Sequence, residues 1–321
     1  MAVSSTASSP FLLACRRRPA PVTPVWIMRQ AGRYMAEYRA VRRRVGFATL
    51  CRRPDLAAEV AVTAARRLGV DAAILFSDIL LILEPMGLSL KYVEGKGPVI
   101  GNPVRTPAQV HRLRAADPAD LDFVYEAVRR TRRDLPPGLP LIGFSGAPFT
   151  LGAYAIEGGG SKDFLETKSF MYRHPEAWHA LMRKMALGVA GYLRAQVASG
   201  ADVLQLFDSW VGCLSPADYR RYVLPHVRAV ARRLPPGIPL IHFGTRTGGL
   251  LELMQEAGGD VIGLDAGVPL DAAWRRLPGV AVQGNLDPAV LLGPRTLIRR
   301  EVRRILSAAA GRPGHGFTLG H

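Results

Sequence analysis

The sequence predicts an α/β fold, and within that class a single (β/α)8 TIM barrel that spans residues 1–321 as one domain. Short apolar runs rich in β-branched residues recur eight times, and each is followed by polar or glycine residues. Longer helical patterns separate these runs, and 321 residues leave room for eight βα units. A doubly wound parallel sheet is the alternative architecture.

The predicted strands are distributed over the whole chain. In order they are residues 25–28, 72–76, 140–144, 203–207, 240–243, 261–264, 280–283 and 316–319. The predicted helices between them include residues 54–68, 121–133, 175–198, 216–233 and 296–310, several of which open with proline, as is favoured in a first helical turn. Residues 88–93 alternate like a strand before the glycines of 95–101, which predicts a small hairpin inserted after the second strand, outside the barrel wall.

Composition narrows the class of protein and its compartment. No apolar run reaches the roughly 18 residues of a membrane-spanning helix, so we expect no membrane association. Residues 11–15 are apolar but lack a preceding basic region and a cleavage site, and we interpret them as part of the mature chain. Cys15, Cys51 and Cys213 are too scattered for a disulfide framework or a thiolate metal site, which favours the reducing cytoplasm and predicts no metal.

The formal net charge of +16 permits a nucleic acid, an acidic membrane surface or a polyanionic small molecule as partner. Arginine clusters at residues 42–44, 129–133 and 299–304 fall in helical stretches without the interleaved aromatic residues of single-strand binders. A solvated surface explains them, so we expect no nucleic-acid partner. A nucleic-acid-binding protein is nevertheless the alternative from another functional class, and it predicts strongly salt-dependent binding to generic DNA.

Polar residues follow most of the predicted strands. In a (β/α)8 barrel these positions converge on the face formed by the carboxyl ends of the strands, where such enzymes carry their active sites. We therefore expect a polar pocket there, lined by the residues at these positions, which are Arg29, Ser77, Asp78, Ser145, Asp208, Ser209, Asp265, Asn285 and His321.

Three arginines near the N-terminus suggest a binding site for an anion. Arg29 and Arg33 are four residues apart, and a turn at Gly32 leading into a helix would let both guanidinium groups and that of Arg42 face one pocket. Arg29 directly follows a strand that is predicted to be buried, and a buried guanidinium needs an anionic partner. A ligand carboxylate would serve, whereas a solvated surface pair is the alternative.

Asp78 lies between two apolar segments. Its carboxylate would be in a setting that is costly without a partner, although capping of a helix N-terminus is an alternative role. Residues 143–151 form a tight glycine-containing turn, and Tyr154 and the glycines of 157–160 follow. This segment is compatible with a phosphate-binding turn, a lid or an ordinary turn.

Taken together, these segments resemble the uroporphyrinogen decarboxylase family. Residues 23–34, Thr-Pro-Val-Trp-Ile-Met-Arg-Gln-Ala-Gly-Arg-Tyr, are similar to its N-terminal signature, and residues 143–158 are similar to its second signature. The resemblance extends from Phe11 to the last residue, and further matching segments are residues 76–80, 207–209, 282–288 and 319–321.

The resemblance implies a (β/α)8 barrel, usually a homodimer, that decarboxylates the four acetate side chains of uroporphyrinogen III to coproporphyrinogen III in haem and chlorophyll biosynthesis. It also implies that neither a cofactor nor a metal takes part. The substrate is a tetrapyrrole with eight carboxylates. The residues that the resemblance assigns to catalysis are Asp78, Arg29 and Tyr154. Those that it assigns to substrate binding are Arg29, Gln30, Ala31, Gly32, Arg33, Arg42, Asp78, Tyr154, Ser209 and His321.

The chemistry of this reaction suggests a role for Asp78. Loss of carbon dioxide leaves charge on a methylene, so without a cofactor a protonated pyrrole must accept that charge. We expect Asp78 to be the fixed anion beside the resulting cation. The resemblance points to Arg29 as the proton donor, but a guanidinium with a pKa above about 12 is a poor acid. Tyr154, His321 or a water molecule held by them are alternatives.

The chain departs from the family pattern at a few positions. Ala36 stands where the family often has proline, and Thr318 where it often has asparagine. Family members continue past the position of His321, so a longer natural chain is an expectation. The enzyme alternative is a cobamide-dependent methyltransferase of the same superfamily, which binds zinc through a His-x-Cys motif. His242 has no cysteine near it in the sequence, and we interpret it as a packing residue.

Overall fold

The computed structural model describes residues 6–320 of the chain. Seven strands form one parallel sheet in the order β1-β4-β5-β6-β7-β8-β9, and β2 and β3 pair separately in an antiparallel hairpin. The strands are β1 (Ala73–Ile74), β2 (Leu90–Val93), β3 (Gly97–Ile100), β4 (Leu141–Gly146), β5 (Val203–Asp208), β6 (Leu240–Gly244), β7 (Val261–Gly263), β8 (Ala281–Gln283) and β9 (His315–Gly316).

Helices alternate with the strands of the parallel sheet, as the sequence predicts for βα units. The helices are α1 (Pro10–Cys15), α2 (Ala36–Arg44), α3 (Phe47–Arg52), α4 (Pro54–Leu68), α5 (Pro107–Arg112), α6 (Asp122–Asp134), α7 (Pro148–Glu157), α8 (Leu165–Arg173), α9 (Pro175–Ala198), α10 (Pro216–Asp218), α11 (Leu224–Ala231), α12 (Leu251–Ala257), α13 (Leu270–Arg276) and α14 (Arg295–Ala309). None of those in the described part of the chain is both long and apolar enough to cross a membrane.

Strands β4 and β6 are buried along their whole length, and Phe207 is the one residue of β5 that is partly exposed. Every residue of β4 and of β6 is buried, because the sheet is covered on both faces. The neighbouring strands pair in parallel, with Ile142 of β4 opposite Val203 of β5 and Leu204 of β5 opposite Leu240 of β6. Continuous apolar runs, rather than alternating ones, are the sequence consequence of burial on both faces.

The first predicted strand, residues 25–28, differs from the other seven. It forms no strand of the sheet, and Val25 makes only an isolated parallel bridge with Phe317, beyond β9. The Trp26 backbone N–H donates to the Phe317 carbonyl at 3.1 Å, and on the other side the Asp71 N–H donates to the Val25 carbonyl at 2.8 Å. The segment therefore contacts both edges of the sheet through a few hydrogen bonds without forming a paired strand.

Side chains take the place of backbone pairing at this point, which explains the missing strand. The Val25 N–H donates to the Asp71 carboxylate at 2.7 Å. The amide of Gln30 donates to the Ala72 carbonyl at 2.7 Å and accepts from the Ile74 N–H at 3.3 Å. These backbone groups of β1 are thus satisfied by a glutamine rather than by a neighbouring strand.

The predicted helix over 216–233 is divided in the structure. α10 ends after one turn, a π-helical segment covers Tyr219–Val223, and α11 then begins at Leu224. Pro225 lacks a backbone N–H and is tolerated only in the first turn of a helix, so its position inside the apolar pattern forces a new helix start.

Two apolar clusters hold the elements together. The larger fills the sheet and the surrounding helices, and Trp26 packs in it edge-on against Phe11 with ring centroids 6.1 Å apart. The smaller anchors the arginine-containing segment before α2 to α3 and α4, and it consists of Met35, Tyr38, Val41, Leu50, Val60 and Ala64. The segment before α2 that carries Arg29 and Arg33, called the arginine segment below, is therefore fixed to α3 and α4 by apolar packing.

Candidate active site

A cavity of about 640 Å³ opens at the carboxyl ends of β1, β4 and β5. The turn before α2 and the segment after β1 form two of its walls. The residues that line it are those at 28–34 and 74–80, together with Tyr38, Phe47, Pro98, Phe144, Tyr154, Phe207 and Ser209. The cavity is thus a pocket at the face where the sequence places the functional side chains.

Most of the predicted site residues meet at this cavity. The predicted residues that do not line it are Arg42, Ser145, Asp208, Asp265 and Asn285, and His321 lies outside the described residues. The predicted residues that line the cavity are Arg29, Gln30, Ala31, Gly32, Arg33, Ser77, Asp78, Tyr154 and Ser209.

The two cavity arginines are solvent-exposed, so the expectation that Arg29 would be buried is wrong. Neither Arg29 nor Arg33 forms an ion pair within residues 6–320. Arg42 is turned away, since its guanidinium donates to the Val45 carbonyl at 2.6 Å and lies 5.8 Å from the ring centroid of Phe47. Arg29 and Arg33 are thus the cations of this segment that can receive an incoming anion.

The backbone of this segment is fixed by a turn. The Tyr34 hydroxyl donates to the Gln30 carbonyl, and the Met35 N–H donates to the Gly32 carbonyl at 2.9 Å immediately before α2 begins. A Cβ on Gly32 would lie 3.0 Å from the Tyr34 ring, so the turn leaves little space there. Gln30 lines the cavity, but its side-chain amide is engaged by β1.

Asp78 lies among apolar side chains after β1. Burial raises the pKa of its carboxyl group, while the Leu80 N–H, the Tyr92 hydroxyl and the positive charge of Arg29 act in the opposite direction. The Leu80 N–H donates to Asp78 Oδ1 at 2.8 Å, just before a short 3-10 helix over Leu81–Leu83. Asp78 therefore stabilises a local turn and also offers a carboxylate to the cavity.

Tyr154 and Ser209 face the cavity from α7 and from the loop after β5. Burial, followed by the negative charge of Asp78, raises the pKa of Tyr154 to about 12. Its hydroxyl therefore stays protonated at neutral pH and can donate a hydrogen bond. The Ser209 backbone carbonyl accepts a hydrogen bond from the Thr245 hydroxyl, which ties this loop to the end of β6.

The cavity also contains an aromatic wall that the sequence patterns did not reveal. Phe47 lies 6.1 Å from Phe76 and 4.8 Å from Tyr92, and Tyr38 lies 5.8 Å from Phe76, all between ring centroids. These rings come from α2, α3, the end of β1 and the hairpin. Their meeting depends on tertiary packing, so spacing along the chain carried no signal for it.

Other polar strand-end residues serve the backbone. Asp265 accepts from the N–H groups of Thr247 at 3.3 Å and Gly267 at 2.8 Å. Asn285 donates to the carbonyls of Asp265 and Val268, both at 2.6 Å. Within residues 6–320, no three His, Cys, Asp or Glu side chains are grouped in a way that could hold a metal ion.

Comparison with known proteins points to one family. A family model described as uroporphyrinogen decarboxylase (URO-D) matches residues 6–321. The chain is 54% identical over 314 residues to the uroporphyrinogen decarboxylase of Carboxydothermus hydrogenoformans, covering 97% of this chain and 90% of that protein. It is also 54% identical over 313 residues to the enzyme of the same name from Thermus thermophilus, covering 97% and 91% respectively.

Solved structures resemble the fold at much lower identity. A methyltransferase from Methanosarcina mazei superimposes with a TM-score of 0.80 at 19% identity, covering 99% of this chain and 92% of that one. A B12-independent methionine synthase from Shewanella gives a TM-score of 0.56 at 10% identity, covering 83% and 80%. At such identities the likeness concerns the fold alone.

Proposed function

The chain belongs to the uroporphyrinogen decarboxylase family, and on that premise we propose that it removes the four acetate carboxyl groups of uroporphyrinogen III without a cofactor, giving coproporphyrinogen III. It is a carboxy-lyase of tetrapyrrole biosynthesis. The observation that carries the proposal in the structure is a cavity where the carboxylate of Asp78 lies within an apolar wall, while Arg29 and Arg33 remain free to bind substrate carboxylates.

Arg29 and Arg33 bind carboxylate groups of the substrate at the mouth of the cavity. Guanidinium and carboxylate can form two parallel charge-assisted hydrogen bonds, which fix orientation as well as position. The pairing needs no internal ion pair to be broken, because neither side chain has a carboxylate partner within residues 6–320. Arg42 contributes indirectly, through its contact with Phe47 on the aromatic wall.

Asp78 supplies the fixed negative charge. Protonation of a pyrrole α-carbon makes the ring cationic, and the Asp78 carboxylate stabilises that cation and accepts hydrogen bonds from pyrrole N–H groups. Carbon dioxide then leaves, and the electron pair of the broken C–C bond flows into the cationic ring. A proton added at the exocyclic methylene and another lost from the ring carbon restore the pyrrole and leave a methyl group.

Two phenylalanine rings of the cavity favour loss of the acetate carboxylate of the substrate as carbon dioxide. Phe144 and Phe207 pack edge to face with ring centroids 5.5 Å apart and line the cavity beside Ser209. An acetate group held against these rings is desolvated, whereas the departing carbon dioxide is neutral and tolerates that environment. Tyr154, protonated at neutral pH, donates a hydrogen bond in this region and can order a water molecule that relays protons.

Residues 24–26 support a closed (β/α)8 barrel of a single catalytic domain. The Phe317 N–H donates to the Pro24 carbonyl at 2.8 Å, and Trp26 and Val25 continue the pairing towards β9 and β1. In this arrangement residues 24–26 take the place of the remaining strand of an eight-stranded barrel. The β2–β3 hairpin is then an insertion after β1, the second strand of that barrel. We further propose a homodimer in the cytoplasm, in keeping with the family.

Product analysis tests the proposed function. The protein is incubated anaerobically with uroporphyrinogen III, and the oxidised products are separated by chromatography according to their number of carboxylates. Stepwise appearance of seven-, six-, five- and four-carboxylate species is expected, and no added metal or cofactor should be needed. Unchanged substrate with a well-folded protein would overturn the proposal.

A further inference from the structure

The loop that carries Ser209 into the cavity is held between two anchored residues. Asp208 ends β5 and is completely buried, while Trp210 lies on the other side of Ser209 and is half-buried. Ser209 itself lines the cavity. Whatever fixes Asp208 and Trp210 therefore also fixes the position of Ser209.

Thr150 on α7 connects these two anchors. Its hydroxyl donates to Asp208 Oδ1 at 2.9 Å, and its oxygen lies 3.3 Å from the Trp210 backbone nitrogen, from which it accepts. A threonine hydroxyl has one proton to donate and two lone pairs that can accept. Because the Thr150 proton is directed at Asp208, the oxygen lone pairs are left to receive the Trp210 N–H.

The same helix meets the loop again one turn later. The ring of Trp210 stacks on Tyr154 with centroids 3.8 Å apart and an interplanar angle of 29°. The Phe164 ring also packs against Trp210, with ring centroids 5.0 Å apart. Thr150 and Tyr154 are four residues apart, so they lie on one face of α7. The loop is thus clamped to this face at two successive turns.

The other carboxylate oxygen of Asp208 makes no hydrogen bond to any described residue, and the ionisable side chain of His242 lies near it. The second oxygen, Oδ2, lies 3.8 Å from His242 Nε2 on β6, and both side chains are fully buried. The negative charge of Asp208 contributes, after burial, to raising the pKa of the buried Tyr219 well above its ordinary value. Asp208, His242 and Tyr219 are thus buried polar residues, and none of them lines the cavity.

We propose that Thr150 and Asp208 are positioning residues which hold Trp210 against Tyr154 and so place both Tyr154 and Ser209 for the reaction. The inference rests on the proposed decarboxylation, because its effect is measured on that turnover. Neither Thr150 nor Asp208 lines the cavity, so they act through Trp210 and the loop rather than by touching substrate.

The first test replaces Thr150 with valine, which keeps the shape of the side chain and removes both hydrogen bonds. Misplacement of catalytic groups by about 1 Å can cost on the order of 100-fold in rate, so we expect kcat to fall by about 10- to 100-fold, with a smaller change in KM. Thr150→Ser keeps the hydroxyl and should recover most of kcat.

The matched control is Thr131→Val. Thr131 is a fully buried threonine on α6, and its hydroxyl makes no hydrogen bond to any described residue. The substitution makes the same chemical change on a helix that contributes no residue to the cavity lining, so kcat should stay within about twofold of wild type. A similar fall in kcat for Thr131→Val and Thr150→Val would indicate general loosening and would overturn the inference.

A double-mutant comparison separates positioning from mere stability. If Thr150 acts through Trp210, the losses in kcat caused by Thr150→Val and Trp210→Leu should be less than multiplicative when combined. Independent, fully multiplicative losses would contradict the inference, as would wild-type kcat in Thr150→Val. These outcomes presuppose an active wild-type protein. A wild type that leaves uroporphyrinogen III unchanged would instead contradict the proposed function itself.

Discussion

At the scale of single residues, Asp78 experiences two opposing influences. The apolar surroundings disfavour its charged form, whereas the Leu80 N–H, the Tyr92 hydroxyl and the Arg29 charge favour it. The net effect is a raised pKa, so ionisation of this carboxyl group lowers the free energy of unfolding of the protein. A residue that is electrostatically unfavourable for folding but suited to stabilising a cation is typical of an active site.

Asp78→Asn should therefore abolish turnover without loss of stability. A raised pKa in the folded state means that stability is greatest below the unfolded aspartate pKa and declines as the pH rises through the folded value. Removing the charge relieves that decline, so the melting temperature at pH 7 should be unchanged or higher. A lower melting temperature together with near-normal turnover would contradict the role of Asp78.

The raised pKa of Asp78 can be measured directly in the free protein. Carbon-13 NMR of labelled aspartate carboxyl groups should show one resonance titrating above the ordinary value of about 4, and that resonance should be missing in Asp78→Asn. Burial is the main cause of the raised pKa, with Arg29 opposing it, so Arg29→Ala should move the titration further upward. Titration below the ordinary range would show that the favourable partners dominate.

Arg33 offers a second test at this scale. Its exposed guanidinium has no ion-pair partner in residues 6–320, so Arg33→Ala should leave the melting temperature nearly unchanged. Loss of one charge-assisted contact to a substrate carboxylate should raise KM by roughly 10-fold or more. Arg43→Ala, on the exposed side of α2, is the control and should change neither quantity. Equal losses of binding and stability in Arg33→Ala would favour a purely structural role.

At the scale of elements, α9 is joined to β4 by a side chain as well as by apolar packing. Gln196 accepts from the Phe144 N–H at 2.8 Å and donates to the Phe144 carbonyl at 2.9 Å. Gly143 makes this approach possible, because a Cβ there would lie only 2.5 Å from Gln196 Oε1. The strand that presents Phe144 to the cavity is thus supported by a buried amide behind it.

Gly143→Ala is expected to destabilise the protein by about 1–3 kcal/mol, because the added methyl group forces the Gln196 amide away from Phe144. Chemical denaturation followed by circular dichroism measures this change. Gly249→Ala is the control, since a Cβ at that exposed position meets no atom within 4 Å. Equal stability of the two variants would show that the helix can move to accommodate the methyl group.

At the scale of the whole molecule, the two edges of the sheet are linked by residues 24–26. The Trp26 indole N–H also donates to Gln283 on β8 at 2.9 Å, and the Gln283 amide lies 3.4 Å from Gln205 on β5. These side chains form a buried polar connection across the interior. The hydrogen bonds of residues 24–26 therefore also help to fix the arginine segment, which begins a few residues later, at the carboxyl ends of the strands.

Trp26→Phe should weaken this link by leaving the buried Gln283 oxygen without the indole donor, at a cost of about 1–3 kcal/mol in unfolding free energy. Trp274→Phe is the control, because Trp274 is half-buried and its ring packs near the His315 ring and the Arg312 guanidinium. The urea midpoint of each variant measures the difference. Comparable shifts would mean that loss of ring volume, and not the hydrogen bond, dominates.

Local sequence signals suffice to identify the family, the alternation of strands and helices, and several of the polar residues at the cavity, among them Arg29, Arg33 and Asp78. Helices α4 and α9 match their predicted bounds, since proline starts and apolar periodicity are local signals. Strands β4 to β6 could also be predicted from the sequence, because burial on both faces of the sheet leaves continuous apolar runs.

The pairing of residues 25–28, the direction of Arg42 and the set of rings in the aromatic wall depend on contacts that local sequence patterns do not encode. Side-chain amides and carboxylates compete with backbone pairing beside Val25, and that competition depends on groups distant in sequence. Arg42 is drawn to the Val45 carbonyl and the Phe47 ring instead of the cavity. The clamp of Thr150 on Asp208 and Trp210 is likewise invisible in the sequence, because it joins segments about 60 residues apart through single hydrogen bonds.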